Sequence, residues 1–572
     1  MRKFRSYFIL ILAAAVMTSC SGLNKMKKDA NLVRYEVTPK VLETHGGMVE
    51  VTIKGTFPQK YFDKKTILEA TLVLTYAGGE TAFGKPQLVQ GESVQANNKL
   101  ISNANGGDFT YTDKIPYKDA MKISELVVRV KATRGTTVLM FDPRKIADGV
   151  IATSTLTENH VKPIMMVNRY VRITPENKMA DLHYLINEAD VQNKELKAED
   201  VQLLRDYIKM ASLDPTRQFK ATEISSYASP DGPLDLNEKL SVKRGSTADK
   251  FMKKEFAKVE ASKTAGFFNE KTTAEDWDGF KAEVEKSSIQ DKDLIIRVLS
   301  MYSDPVVREK EIKNMSAAFE ALKKDILPRL RRSKLFVNVD IVGRSDEQIL
   351  AQIKSDPKVL SVEEMLYAAT LTKDVNEQLK FYQLAADNFP KDIRGHINVG
   401  YCDLLLGKSD DAIASLEKAK AIENNDIVKN NLGFAFLQKG DNAKAEEYFT
   451  SMATATSESK FGLGILATKK GEYDKAVNSF GNEPSYDLAL ALLLKGDVNK
   501  AKVMLDGLKE PEKNGKPSYL RAVVGARLDD RNYMLNNLRE AIGLKADWKA
   551  YAKTDLEFAK FFNDDTFKAT VQ

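Results

Sequence analysis

The sequence predicts a multidomain protein with a β-sandwich-like N-terminal domain, a central α/β (α+β) domain and an all-α repeat region at the C-terminus. Residues 46–58 and 70–80 alternate apolar and polar side chains, which is the period of a half-buried strand. Between residues 400 and 500, glycines recur every 25–33 residues and separate helical patterns. A chain of 572 residues is long enough for three to four domains.

The first residues have the composition of a secretory leader. Arg2, Lys3 and Arg5 precede an apolar run at 7–16. A run of this length is too short to cross a bilayer as a helix, which takes about 20 residues. Small residues follow and end at Cys20, so we expect a signal peptide over residues 1–19.

The stretch Met17-Thr18-Ser19-Cys20 resembles the lipobox of bacterial lipoproteins, although methionine is unusual at its first position. The resemblance implies cleavage before Cys20, acyl chains such as palmitate on the mature N-terminus, and a lipidated tether over residues 20–33. Two or three acyl chains anchor a protein durably to a membrane. The alternative is an ordinary signal peptide in which Cys20 is incidental.

The tether bears on which side of the outer membrane the protein occupies. Surface-displayed lipoproteins in one branch of Gram-negative bacteria carry an acidic cluster after the lipidated cysteine. This chain has Lys25, Lys27 and Lys28 there instead. We therefore expect a lipid-anchored protein on the periplasmic face of the outer membrane.

Composition argues against several other classes of protein. The net charge is +6, and no basic block suggests a nucleic-acid partner. Cys402 is the only cysteine besides Cys20, so no disulfide framework is expected. No metal or other cofactor is predicted, because the histidines are far apart in the sequence: His45, His160, His183 and His396.

Residues 34–170 are predicted to form a β-rich, immunoglobulin-like domain. Besides the two alternating segments, residues 125–141 contain two β-branched runs around Arg134-Gly135, which indicates a hairpin. No cysteine pair supports a true immunoglobulin domain. A spacer or docking module is the expected role.

Residues 171–345 are predicted to alternate strands and helices. A strand near residues 182–191 is followed by an amphipathic helix, and a strand at 223–227 leads into a Pro-Asp-Gly turn at 230–232. A second helix is expected from about Leu236. Residues 333–344 then have the pattern of a strand.

This order resembles the OmpA-like domain. Residues 237–244 match the family core N-x-x-L-S-x-x-R, and 333–344 and 182–191 look like its closing and opening strands. The resemblance covers about 180–255 and 326–345. A helical insert is expected at 255–326, similar to an anaerobe-type variant of the family.

Members of this family often bind the diaminopimelate of peptidoglycan. That ligand's carboxylates suit a guanidinium, and its ammonium suits an acid. Arg244 matches the family arginine, whereas Ser229 stands where the family has aspartate. The resemblance gives the candidate binding residues Ser229, Asp231 (as a substitute acid), Asn237, Arg244 and Arg331. Alternatively, Arg244 only pairs with an acid and no wall is bound.

Residues 360–550 contain repeats. The glycines Gly407, Gly440, Gly471 and Gly496 are separated by 33, 31 and 25 residues, and alanines keep the same spacing: Ala412, Ala445, Ala476 and Ala501. The pattern resembles tetratricopeptide (TPR) repeats. We expect five to six units, the first at 366–390 and a degenerate last one at 525–544, with a C-terminal cap or tail at 551–572.

In the TPR family a concave solenoid surface usually binds a peptide or partner protein. We therefore expect a non-enzymatic scaffold whose solenoid recruits a component of an envelope secretion or assembly complex. Its OmpA-like domain would contact peptidoglycan or a partner. A structural lipoprotein that tethers the outer membrane to the wall, or an accessory subunit of β-barrel assembly or fimbrial machinery, remains open. An enzyme acting on the wall would need a catalytic acid in the pocket, and only Asp231 is near.

Overall fold

The computed structural model describes residues 22–508 and 514–572. Cys20 and the predicted signal peptide lie outside the described residues. The chain divides into two compact units, one made of residues up to Val167 together with those from Thr372 onward, and one spanning Asn168–Leu371. Among the described residues, no helix is both long and apolar enough to span a membrane.

The first unit begins with a helix, α1 (22–28), followed by a sheet of eleven strands. The strands are β1 Arg34–Thr38, β2 Val41–His45, β3 Met48–Phe57, β4 Ile67–Tyr76, β5 Gly79–Ala82, β6 Gln87–Gly91, β7 Lys99–Ile101, β8 Gly107–Pro116, β9 Ser124–Arg134, β10 Thr137–Met140 and β11 Arg144–Ile151. Their main order is β1-β3-β2-β11-β9-β4-β6-β7, with β8 on β3, β5 on β4 and β10 on β9.

The alternation seen in the sequence places one face of each long strand in a shared core. Along β3, Val49, Val51, Ile53 and Phe57 are buried while the residues between them are more exposed. Strands β9 and β10 form the hairpin that was predicted around Gly135, with Arg134 opposite Thr137. The β-rich character of this region is therefore confirmed.

The first described residues are part of this fold. Leu23, Met26 and Val33 are almost fully buried in the core of the sheet domain. The tether predicted for 20–33 therefore differs from the structure, in which residues 22–33 pack as a helix and a short 3-10 turn. This stretch is mostly polar, so its sequence did not indicate that three apolar side chains face the core.

The second unit contains four strands and nine helices within its described residues. They are β12 Ile173–His183, α2 Glu199–Leu213, β13 Arg217–Tyr227, α3 Leu234–Glu255, β14 Phe268–Thr273, α4 Trp277–Lys286, α5 Lys292–Met301, α6 Pro305–Asn314, α7 Ser316–Asp325, α8 Leu327–Leu330, β15 Arg332–Val342, α9 Asp346–Ser355 and α10 Val362–Thr370.

The strand order in this unit is β12-β15-β13-β14. Strand β15 is antiparallel to both of its neighbours, and β14 is parallel to β13. Helices α2 and α3 cover the sheet through a core that includes Leu204, Ile208 and Met252. A separate core joins the helices of the insert.

Two boundaries in this unit differ from the sequence prediction. The opening strand spans 173–183 and not 182–191, and the segment predicted as a helical insert at 255–326 contains strand β14. Both strands lie at the edges of the sheet, where most of their side chains are exposed. Edge strands of this kind lack the alternation by which a half-buried strand is recognised.

The remainder of the first unit is helical. Its helices are α11 Val375–Asn388, α12 Ile393–Leu405, α13 Ser409–Ile422, α14 Asp426–Lys439, α15 Asn442–Thr450, α16 Ser457–Lys470, α17 Tyr473–Phe480, α18 Tyr486–Lys495, α19 Val498–Asp506, α20 Lys516–Arg527, α21 Arg531–Leu544, α22 Asp547–Ala552 and α23 Asp565–Val571. The predicted first repeat is divided, because α10 belongs to the second unit and α11 to the first.

Helices α12–α21 form five helix pairs. The spaced glycines follow the first helix of a pair with positive φ, at Gly407, Gly440, Gly471 and Gly496. A second glycine series lets the two helices of a pair approach closely: a Cβ atom at Gly433 would lie 2.5 Å from the Phe449 ring. Helices α22 and α23 close the end, where Phe558 and Phe567 are buried.

Candidate functional site

The five candidate residues of the second unit lie around one cavity of about 220 Å³. Strand β13 ends beside it, and the loop after that strand carries Ser229 and Asp231. Helix α3 contributes Asn237 and Arg244, and Arg331 comes directly before β15. The cavity therefore collects side chains that are up to 102 residues apart in the sequence.

Arg244 is a buried cation whose hydrogen bonds go to backbone carbonyls. Its Nε donates to the Glu188 oxygen at 3.0 Å, and its two terminal nitrogens donate to Tyr227 at 3.0 Å and Leu185 at 3.3 Å. The guanidinium also lies 5.1 Å from the Tyr184 ring centre. Burial lowers the pKa of Arg244 to about 10.

No carboxylate of the described residues lies within ion-pair distance of Arg244, so its charge has no salt-bridge partner there. Only 1% of this residue is exposed. A buried charge that lacks a counter-ion is costly, and an anion that enters the cavity offsets part of that cost. Arg244 therefore makes the cavity suitable for a carboxylate or another small anion.

Arg331, Ser229 and Asp231 form a hydrogen-bonded cluster that also lines the cavity. Arg331 donates from Nε to the Ser229 hydroxyl at 3.2 Å and from a terminal nitrogen to the Asp231 carboxylate at 3.1 Å. The Ser229 hydroxyl also donates to Asp231. Asp231 thus lies in the cavity, as expected of a substitute acid, but Arg331 already neutralises its charge.

The cavity therefore has a net positive charge of one, from two guanidinium groups and one carboxylate. Asn237 adds no charge and has a different part in the site. Its amide nitrogen donates to the Gly232 oxygen at 3.0 Å, which fixes the loop that carries Asp231. The net positive charge of the cavity favours a carboxylate ligand over an ammonium.

A second candidate site lies in the first unit, on the first helices of the helix pairs. Residues 157–167, which we call the strap, lie along these helices without forming a helix or strand. The Tyr486 hydroxyl donates to Leu156, next to the strap, and Asp487 contacts His160. Further along, the strap reaches α14 and then α12, so it runs opposite to the order of the repeats.

Two asparagines each form a pair of hydrogen bonds with the main chain of the strap. The Ile164 amide donates to Asn431 Oδ1 at 2.8 Å, and Asn431 Nδ2 donates back to the Ile164 oxygen at 2.8 Å. Asn398 makes the same pair of bonds with Met166, again at 2.8 Å each. Asn398 and Asn431 are 33 residues apart, so they occupy equivalent positions in successive repeats.

Ionic and ring contacts hold the side chains of the strap. His160 lies 2.8 Å from both Asp487 and Glu158. Burial alone would lower the pKa of His160, but hydrogen bonds to these two carboxylates raise it to about 10. The Lys162 ammonium lies 4.0 Å from the centre of the Phe461 ring.

No family model matches the chain. A curated relative, the BBSome complex member BBS4 of Bos taurus, is 32% identical over 112 residues, which are 19% of this chain and 22% of that protein. The chain therefore spans about a fifth of the length of this relative.

Two solved structures illustrate the likeness of the helical region. A tetratricopeptide repeat protein from Parabacteroides merdae matches over 37% of this chain and 91% of its own, with 17% identity and a TM-score of 0.30. PilF of Pseudomonas aeruginosa matches over 39% and 100%, with 15% identity and a TM-score of 0.28.

The helical region is a tetratricopeptide-type solenoid. Its own geometry decides this, because helix pairs repeat every 31–33 residues over α12–α17 with a glycine at each close approach. The alanines that keep the spacing of the repeats, such as Ala412 and Ala445, are fully buried. The prediction of TPR repeats is confirmed.

Sequence reasoning missed the strap and part of the cavity. Residues 157–167 were assigned to the β-rich domain, although the sequence held one clue: an asparagine stands two residues before Gly400 and again before Gly433. Near the cavity, the sequence indicated no role for Arg332. It binds Asp276 of the insert at 3.0 Å and so ties the first turn of α4 to the sheet.

Proposed function

We propose that this protein is a non-enzymatic scaffold lipoprotein, anchored through Cys20 to the periplasmic face of the outer membrane. Its second unit contacts peptidoglycan or a partner through the cavity around Arg244. Its solenoid recruits a protein component of an envelope secretion or assembly complex. The lipobox-like stretch supports the anchor, and the repeat architecture supports protein recruitment.

The observation that carries the proposal is the unpaired, buried guanidinium of Arg244 beside a cavity with net positive charge. Arginine binds carboxylates through two parallel hydrogen bonds, which gives both affinity and orientation. The stem peptide of peptidoglycan offers such carboxylates in many copies. The resemblance to OmpA-like domains, in which this arginine serves wall binding, supports the same ligand.

The recruiting role has a separate basis. The bovine relative is by its name a complex member, which is consistent with an assembly role for this chain. Stacked helix pairs expose long surfaces that suit extended protein segments. Neither unit has a described set of side chains that resembles a catalytic centre, so binding is the proposed activity of both.

Co-sedimentation with purified peptidoglycan tests the wall contact. We expect the wild-type protein in the pellet and at least a tenfold loss of affinity for Arg244→Lys, because an ammonium lacks the planar fork of a guanidinium. Lys243→Ala is the matched control: it removes a cation from the neighbouring, exposed position of α3 and leaves binding unchanged. Thermal unfolding of each variant shows whether the fold is retained.

The result also separates the alternatives. Equal sedimentation of wild type and Arg244→Lys would contradict wall binding through this cavity. Wall binding without any crosslinked protein partner at 360–550 would favour a structural tether. A crosslinked partner without wall binding would favour a pure adaptor, including an accessory subunit of β-barrel assembly or fimbrial machinery.

A further inference from the structure

We propose that the inner surface of the solenoid is an exchangeable peptide-binding groove, and that its partner is an extended protein segment with an arginine at the position of His160. The strap is the resident occupant that this segment replaces. The inference rests on the proposed recruiting function and names the surface and the chemistry that perform it.

The groove binds main chain, which any extended segment provides. Asn398 and Asn431 each form two hydrogen bonds with the amide and carbonyl of one strap residue. Those residues, Ile164 and Met166, are two apart, and such residues present their backbone groups on the same edge of an extended chain. Two extended residues cover about 7 Å, close to the roughly 8–10 Å between packed helices.

No residue of the strap is fully buried in the groove, although Val161 and Met166 pack against the core of the helix pairs. Every residue from Thr157 to Val167 remains half-buried or exposed, and 71% of Val167 is exposed. The asparagines beneath, by contrast, are almost fully buried. A segment with this exposure can leave while the helices below stay folded, since local opening is easiest where few side chains are buried.

The strap leaves polar atoms of the groove without a protein partner. Asp487 accepts from His160 through Oδ2, but its buried Oδ1 accepts no hydrogen bond from the protein. The buried Oδ1 of Asn430 likewise accepts no hydrogen bond from the protein. An arginine in place of His160 can donate to both oxygens of Asp487, because its fork matches a carboxylate. A partner with arginine at this position therefore has an advantage over the strap.

A partner has to bind the groove more strongly than the strap does, because the strap competes from within the same chain. A tethered segment acts at an effective concentration of about millimolar. A free peptide with equal intrinsic affinity binds only to the fraction of molecules in which the strap has left. Weakening the strap should therefore strengthen the binding of a free peptide by the same factor.

Fluorescence anisotropy with the full chain tests the proposal. The probes are a labelled peptide of residues 156–167, LTENHVKPIMMV, and the same peptide with arginine in place of histidine. The chains are the wild type and the double variant His160→Ala with Lys162→Ala, which weakens the strap and leaves the groove intact. A matched control replaces two exposed lysines of the sheet domain, Lys85→Ala with Lys99→Ala.

We expect the arginine probe to bind the strap variant at least tenfold more tightly than the wild type and the control. It should also bind at least threefold more tightly than the histidine probe, and Asp487→Asn should remove that preference. Equal binding of the probe to all three chains, or binding to none of them, would overturn the proposal.

A second pair of probes does not depend on the folding of any variant. Methylation of the amide at the Ile164 position removes the donor to Asn431 and should weaken binding at least tenfold. Methylation at the Met165 position, whose amide has no described partner in the groove, is the control and should change binding less than twofold. Equal effects would overturn the inference. Peptidoglycan co-sedimentation depends on the other unit, so it succeeds or fails separately.

Discussion

At the scale of single residues, charge pairing explains what each arginine near the cavity does. Arg332 and Arg331 are neighbours, yet one binds Asp276 of the insert and the other binds Asp231 in the cavity. Of these three arginines, only Arg244 has no acidic partner among the described residues. Two of these arginines therefore pair with acidic side chains of the fold, whereas the charge of Arg244 remains available to a ligand.

The substitution Asp231→Asn tests which part of the wall ligand the cavity binds. Because Arg331 already neutralises Asp231, we expect wall binding to persist and to strengthen by about two- to fivefold, as the cavity gains net positive charge. The measurement is the half-saturation point in peptidoglycan co-sedimentation at low and high salt. Abolished binding would instead show that Asp231 serves the ligand's ammonium.

His160 gives the first unit a stability that depends on pH. Its pKa is about 6.5 in an unfolded chain and about 10 in the fold, where Asp487 and Glu158 face it. The stabilisation is therefore complete below about pH 6.5 and is lost as the pH rises toward 10. Lys516 also forms an ion pair with Glu158.

We expect the wild type to exceed His160→Gln in free energy of unfolding by about 1–2 kcal/mol at pH 6, a value reduced for the partial exposure of the ring. The difference should shrink steadily between pH 6.5 and 10. Urea denaturation of both proteins at several pH values measures it. A difference that does not change with pH would show that the ring contributes by packing alone.

At the scale of secondary-structure elements, close packing sets the helix pairs. The Phe449 ring lies between two glycines of neighbouring repeats: a Cβ atom at Gly433 would be 2.5 Å from it, and one at Gly462 would be 2.4 Å. Contacts so short force the ring or a helix to move. The glycines are therefore needed for packing in the solenoid and not for a turn.

Gly433→Ala should lower the free energy of unfolding by about 1–3 kcal/mol, because the added methyl overpacks the helix pair. Gly543→Ala is the matched control: this glycine lies in α21 and nothing lies within 4 Å of its added Cβ. The control should be neutral or more stable by up to about 1 kcal/mol, as alanine favours helix. Chemical denaturation of both variants checks the difference, and equal destabilisation would contradict the packing argument.

At the scale of the whole molecule, the proposed role depends on an anchor at one end of the chain. Cys20→Ser should move the protein from the membrane fraction to the soluble fraction, since a hydroxyl in place of the thiol prevents lipid attachment. Cell fractionation and mass spectrometry of the mature N-terminus measure this. Thr18→Ser is a conservative control that keeps Cys20, and membrane association of the Cys20→Ser protein would contradict the lipid anchor.

The sequence by itself determined the features that depend on near neighbours. Strand alternation in β3, the hairpin at Gly135 and the repeat period of the solenoid could all be predicted, because each follows from residues within one turn, one strand or one repeat. The candidate residues of the cavity came from a resemblance and not from any local pattern. Edge strands β12 and β14 were misplaced or missed because exposed strands have no alternation.

Only the tertiary structure decided which distant groups meet. That Arg331 neutralises Asp231 depends on two segments 100 residues apart, and that the strap occupies the solenoid depends on segments more than 200 residues apart. No periodicity relates such residues. Their contacts follow from the path of the whole chain, since burial of the hydrophobic cores within each unit fixes which polar side chains lie next to each other.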